Sequence, residues 1–273
     1  MNYRHAFHAG NHADCLKHAL LLALLRGLAR KPAGFAVLDA HAGRGSYDLA
    51  APEALRTGEA ERGAARLSPT PALDDYLALL VAADFPHRYP GSPALIRAAL
   101  RPQDRLACCE LHPEDHAALR ALFARDGQVA IHKRDGWEAL GALLPFREKR
   151  GLVLLDPPFE RDGEFERMVA GIGLTNRRMR GVIIAAWYPV KHRAPVRAFH
   201  HALRESGVRD ILDCALMLRE PTDPQRLNGS GLIVVNPPFG FEAEAQAILA
   251  ALLAALGDGE AGQGVAVTRL VAE

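Results

Sequence analysis

The chain has 273 residues, 49% of them hydrophobic, enough for one substantial core with room for a subdomain. Lys and Arg total 33 against 32 Asp and Glu, so any nucleic-acid partner has to be met by a local basic face and not by a global field. Cys15, Cys108, Cys109 and Cys214 form no Cys-x-x-Cys pair, and the early apolar stretch 19–25 is too short to span a bilayer. These features argue against structural zinc, a disulfide framework and a membrane span, and for a cytoplasmic protein without a signal peptide.

Near the start, Asn11 is suited to cap a helix. After it Leu16, Leu20, Ala23, Leu24 and Leu28 recur at helical spacing, so 12–30 is expected as an amphipathic helix, ended by Lys31-Pro32 and Gly34. His5, His8 and His12 lack a carboxylate or thiol to complete a metal set, and Gly10-Asn11 breaks their register, so no metal is expected. Residues 35–39 read as a buried strand ending in an acid, followed by Ala40-His41-Ala42-Gly43-Arg44-Gly45. Strand, acid and glycine turn resemble motif I of the class I methyltransferases, although a nucleotide-binding dehydrogenase would look similar.

A helix is expected straight after such a turn. Instead 47–90 is broken by prolines and glycines around one good helix, 73–83, and is taken as a small helical insertion between the first strand and its helix. That delayed helix starts at Ser92, as N-cap, with Pro93 at its first position. The next strand, 105–110, ends at Glu110, where nucleotide-binding sheets hold a carboxylate for ribose hydroxyls. A helix over 113–125 and a strand over 129–133 lead to Asp135-Gly136, an acid placed to accept an adenine amino group.

The stretch 151–159, Gly-Leu-Val-Leu-Leu-Asp-Pro-Pro-Phe, reads as a buried parallel strand. It must turn out at its carboxyl end, because neither proline can donate to a ladder. Asp156 and the Pro157 carbonyl can accept N–H bonds from an exocyclic amine, and Phe159 can stack on its ring. The turn resembles the Asp/Asn-Pro-Pro-Tyr/Phe motif of amino-methyltransferases. Four residues fit an ordinary strand-ending turn equally well, and Asn236-Pro237-Pro238-Phe239 repeats the shape. Chain order separates the two. Asp156 follows the proposed cofactor acids directly, whereas Asn236 comes after strands at 181–186 and 211–218 and is taken as structural. The basic runs 176–180 and 187–193 are candidates for phosphate contacts, and Trp187 and Tyr188 are expected at the ligand edge. A helix over 242–256 and a strand over 264–271 close the chain. The expected fold is α/β, a Rossmann-like class I methyltransferase domain with a mostly parallel seven-stranded sheet and the inserted helical subdomain.

Across nearly its whole length the chain resembles the bacterial 23S ribosomal RNA adenine-N6 methyltransferases of the J type. The resemblance rests on Tyr3-Arg4-His5-x-Phe7-His8-Ala9-Gly10-Asn11-His12-Ala13-Asp14-x-Leu16-Lys17-His18 and Asp39-x-His41-Ala42-Gly43-x-Gly45. It continues through Tyr89-Pro90-Gly91-Ser92-Pro93, Glu110-Leu111-His112-Pro113, Asp135-Gly136 and Trp187-Tyr188-Pro189. It implies S-adenosylmethionine contacts at His18, His41, Ser92, Glu110, Asp135, Gly136 and Asp156. It also implies catalysis at Asp156 and substrate contacts at Tyr3, Pro157 and Phe159. The family usually has Tyr where Phe159 stands; stacking survives that change and only a hydroxyl contact is affected. The expected substrate is 23S rRNA, naked or early in assembly, acted on by a monomer. An N6-adenine DNA methyltransferase would share the catalytic turn but need a larger recognition domain. A non-catalytic RNA-binding protein of the same fold would not need every cofactor position filled. The aromatic and cationic segment around Tyr3 and Arg4 is expected to close over the site as a lid.

Overall fold

The computed structural model describes residues 4–273, so Tyr3 lies outside the described residues. The chain opens with a 3-10 turn, His5–Phe7, then α1 (His12–Ala29) and β1 (Ala36–Asp39). Asn11 caps α1, its side-chain oxygen accepting from the N–H groups of Ala13 at 2.9 Å and Asp14 at 3.0 Å. The next stretch is built on a two-stranded antiparallel base, β2 (Ser46–Asp48) with β3 (Arg88–Pro90). This base carries α2 (Pro52–Thr57), α3 (Glu59–Arg62) and α4 (Asp74–Ala82). The helix that serves β1, α5 (Ser92–Ala99), follows; its N-cap is Gly91, one residue before the expected Ser92.

From there strands and helices alternate: β4 (Arg105–Cys109), α6 (Pro113–Leu122), β5 (Val129–His132), α7 (Gly136–Ala142), β6 (Gly151–Leu155), α8 (Glu164–Arg178) and β7 (Ile183–Val190). Then come α9 (Arg193–Glu205), β8 (Ile211–Met217), β9 (Gly229–Val235), α10 (Phe241–Leu256) and β10 (Gly264–Val271). The main sheet has eight strands in the order β10-β8-β9-β7-β6-β1-β4-β5, where seven were expected, and the expected last strand is β10, paired to β8. β5, β4, β1, β6 and β7 are parallel, and β9, β8 and β10 continue the sheet by antiparallel pairing. The direction of winding reverses between β1 and β6, and in such sheets the crevice beyond the strand carboxyl ends at that point receives ligands.

Side chains alternate across the sheet. On β1, Val37 joins the layer with α1, α5 and α10, while Leu38 joins the layer with α7, α8 and α9. α1 is not the half-exposed helix its leucine spacing predicts. It is buried on nearly every side from Ala13 to Leu25, wedged between the sheet, α4, α5 and α10. A helix with no polar face is what such a position demands.

Candidate active site

All the carboxyl-end turns of the parallel strands open on one cleft of about 790 Å³. His18, His41, Ser92, Glu110, Asp135, Gly136, Asp156, Pro157 and Phe159 all line it. The structure thus brings together every expected site residue that it describes.

The glycine turn after β1 is shaped by backbone need. Gly43 and Gly45 sit at φ +62° and +79°, a region open to glycine at no steric cost. The Gly43 N–H donates to Glu110 Oε2 at 2.9 Å, and the His112 N–H donates to Glu110 Oε1 at 2.6 Å. Two backbone donors fix this carboxylate at the end of β4, while burial pushes its pKa up. Asp135 caps α7, with Oδ1 accepting from Trp137 N at 2.8 Å and Glu138 N at 3.2 Å; no protein hydrogen bond uses Oδ2 among the described residues. Gly136 follows because a Cβ there would run into the Ala40 carbonyl oxygen and the His41 ring.

His41 packs in that gap. Its Nδ1 accepts the Asp156 backbone N–H at 3.3 Å, and burial lowers its pKa to about 4. The ring is therefore neutral, with its proton on Nε2, and it couples the turn after β1 to the turn after β6. Ser92 spends its hydroxyl on Asp39, donating to Oδ2 at 2.7 Å. Burial pushes Asp39 up to about 7, against the bond from Ser92. His18 is fully enclosed. Its Nδ1 lies 2.8 Å from Tyr89 Oη, its Nε2 has no hydrogen-bond partner among the described residues, with Asp14 Oδ1 4.0 Å away, and burial drops its pKa to about 3. An unpartnered buried nitrogen in the cleft wall, beside a glycine turn and two strand-end carboxylates, fits a nucleoside cofactor.

One residue escaped the sequence analysis as a site member. Lys17 Nζ, buried, lies 2.8 Å from Asp14 Oδ1 and 2.5 Å from Asp156 Oδ2. Burial opposes its charge, but the Asp14 and Asp156 carboxylates outweigh that and raise its pKa. Asp14 is held well below the usual carboxylate range by His5 and Lys17, in spite of burial. The only available signal was the spacing Asp14-x-x-Lys17 inside an apolar helix, a pair one turn apart with nowhere to reach water. Phe159, at φ +51°, stands edge-on to Phe165 at 5.0 Å and to Trp187 at 5.8 Å, so its ring is held at the cleft wall.

Other expected positions come out differently. Tyr188 is not at the ligand edge: β7 runs on through Val190, and Tyr188 points into the opposite layer, donating to Asp213 Oδ1 at 2.7 Å. Asn236 follows β9, which is antiparallel to β7 with Val235 beside Ile184. It therefore lies at the amino ends of the parallel strands, the far edge from Asp156, where its side chain donates to the carbonyls of Arg180 and Val182 at 2.8 Å each. The hairpin it belongs to is not wholly remote, however. The other end, the β8–β9 loop, brings Leu218, Arg219 and Arg226 to the cleft.

A parallel sheet with a glycine turn, strand-end acids and an Asp-Pro-Pro-Phe turn around one crevice defines a class I methyltransferase. Residues 32–268 match the family model described as Ribosomal RNA large subunit methyltransferase D, RlmJ, and the chain belongs to that family. It is 39% identical over 256 residues to Ribosomal RNA large subunit methyltransferase J of Escherichia coli K12, covering 91% of each chain. It is 37% identical over 257 residues to the protein of the same name from Haemophilus influenzae, covering 91% of this chain and 92% of that one. A crystal structure of a Legionella pneumophila protein superposes with a TM-score of 0.88 at 31% identity, covering 96% of this chain and 98% of the other.

Proposed function

We propose that this protein transfers the methyl group of S-adenosylmethionine to N6 of an adenine in 23S rRNA, working as a single-domain monomer. The observation that carries the chemistry is Asp156, fixed at the end of β6 by Lys17 on its carboxylate and His41 on its backbone. S-adenosylmethionine supplies an electrophilic methyl carried on a sulfonium. In this reading Glu110 and Asp135 hold its ribose and adenine, and His18 Nε2 gains the partner it lacks.

An adenine amine is a poor nucleophile, because its lone pair is conjugated with the ring. With Oδ2 held by Lys17, Asp156 Oδ1 is left to accept one amine N–H, and the Pro157 carbonyl accepts the other. These two bonds favour a pyramidal nitrogen with its lone pair aimed along the line of transfer. The amine turns acidic only after methylation, so Asp156 need not remove a proton before transfer and takes one late. Phe159 offers the face on which the base stacks. The base has to leave its own stack, at a cost of a few kcal/mol that unpaired RNA reduces. That favours naked rRNA or an early assembly intermediate as substrate. Mass mapping of methylated adenines in 23S rRNA from cells with and without the gene tests the proposal. It fails if no adenine loses its methyl group when the gene is removed.

A further inference from the structure

The cleft is divided by charge. Beside β4 and β5 it presents Glu110, Asp115 and Asp135, with Arg134 among them, the side assigned above to the cofactor. Beside α3, the end of β7 and the β8–β9 loop it presents Arg62, Arg66, Lys191, Arg219 and Arg226. Glu59 and Asp258, carboxylates from the same surroundings, are already engaged: Glu59 by His8 and Asn11 at 2.9 Å each, Asp258 by Arg66 at 2.8 Å. Lys191 and Arg226 are exposed, and neither has an ion-pair partner among the described residues. The same wall contains two buried nitrogens without a hydrogen-bond partner among the described residues, Trp187 Nε1 and His12 Nε2.

Basic residues are not spread evenly over the molecule. The run at 176–180 ends α8 at the amino edge of β7, where the Arg180 carbonyl accepts from Asn236 and Arg178 donates to the Leu144 carbonyl at 2.9 Å. Only the second run, through Lys191, reaches the cleft. Arg66 and Arg219 are paired with Asp258 and Glu260, which leaves Lys191 and Arg226 as exposed cations beside Trp187, a combination that suits a single strand carrying phosphates and bases.

We infer that the nucleotides flanking the target adenine run along this half of the cleft, between the inserted segment and the β8–β9 loop. Lys191 and Arg226 each neutralise a backbone phosphate, and Trp187 and His12 meet a neighbouring sugar or base. This rests on the function proposed above, because it needs an RNA strand at the Asp156 turn. The test is methyl transfer to a 23S rRNA transcript by the full chain, with KM for RNA measured across a range of salt. Lys191→Glu combined with Arg226→Glu is expected to raise that KM at least roughly tenfold at low salt. It should also flatten the log–log salt slope by about 1.4, at about 0.7 per single-strand phosphate contact. S-adenosylmethionine affinity, read by calorimetry, should stay within about twofold and reports that the variant is folded. The paired control, Arg177→Glu with Arg180→Glu, should leave the RNA KM within about twofold. An unchanged KM and slope in the first pair, with methylation still occurring, overturns the RNA path and leaves the proposed function standing. An equal rise in the control pair also overturns it, since the field would then be unspecific. A wild-type chain that methylates no adenine in the transcript overturns the function itself.

Discussion

Asp156 is positioned by two residues that do no chemistry. Replacing it with Ala removes the acceptor at the amine and leaves the turn after β1, Glu110 and Asp135 in place. Asp156→Ala is therefore expected to abolish transfer while S-adenosylmethionine binds within a few-fold of wild type, as calorimetry would show. Substantial residual turnover would move the chemistry elsewhere. Lys17→Met has a different signature. It strands the buried Asp14 and the Asp156 carboxylate without their shared cation, a defect worth roughly 3–5 kcal/mol when a buried pair loses one partner. A marked fall in melting temperature should accompany the loss of turnover, whereas Asp156→Ala keeps the Asp14–Lys17 pair. Equal melting temperatures for Lys17→Met and wild type would show that the pair carries no weight. Lys17 was illegible because its partner lies 139 positions away, and a lysine on a leucine-rich helix reads as a surface cation until the helix is seen to have no surface. Glu110 and Asp135 were legible because each stands at the end of a strand, whereas His18 and His41 entered only through the family resemblance.

At the scale of elements, the two Pro-Pro-Phe turns share a sequence and differ in topology. Periodicity marks both as strand ends, but only the pairing shows that one strand is parallel to the core and the other antiparallel. Asn236→Ala should leave turnover largely intact in a folded protein, since its amide only ties Arg180 and Val182 at the far edge. A loss of turnover matching Asp156→Ala in a well-folded variant would reverse the assignment of the two turns. Tyr188 misled for a related reason: strand ends are hard to place, and two further residues of β7 swing a side chain from cleft to core. The N-terminal segment is held at several points. Arg4 pairs with Glu114 at 2.5 Å, His5 with Asp14 at 2.9 Å, and the Phe7 carbonyl accepts from Thr57 Oγ1 at 2.5 Å. The segment thus bridges α6, α1 and α2. Little change in melting temperature would follow from a loose lid, but residues 2–5 include His5, a partner of buried Asp14, so their deletion should lower the melting temperature along with turnover and RNA affinity; a truncated chain that works at the full rate would show the segment to be only a tail.

Across the whole molecule, buried titratable groups set the response to acid. Burial lowers His12, His41 and His200 to about 4 and His18 to about 3, against an ordinary 6.5. The unfolded chain therefore binds more protons at these sites between about pH 4 and 6.5, and stability rises with pH through that window. Asp39 and Asp213, raised by burial to about 7, act the other way because the folded chain holds their protons there. Glu110, raised by burial, and His8, raised by Glu59, side with the aspartates through smaller shifts; the four large histidine shifts outweigh them, so the melting temperature should climb from pH 4.5 to 6.5. Below the ordinary carboxylate pKa, Asp14 adds to the acid loss, its folded value being depressed. A flat or falling melting curve over that window would contradict this balance.

The burial of α1 also has a consequence for how the chain is made. α1 leaves the ribosome before β7, β9 and α10, on which it packs. Arg26 pairs with Glu244, 218 positions later, and Lys17 has to wait for Asp156. A nascent chain thus exposes a leucine-rich helix until these long-range partners are translated. Chains stopped before residue 241 should be captured by holdase chaperones or aggregate, even though they already contain the glycine turn, the acids and the Asp-Pro-Pro-Phe turn. The active site is complete in translation order well before it can exist in space.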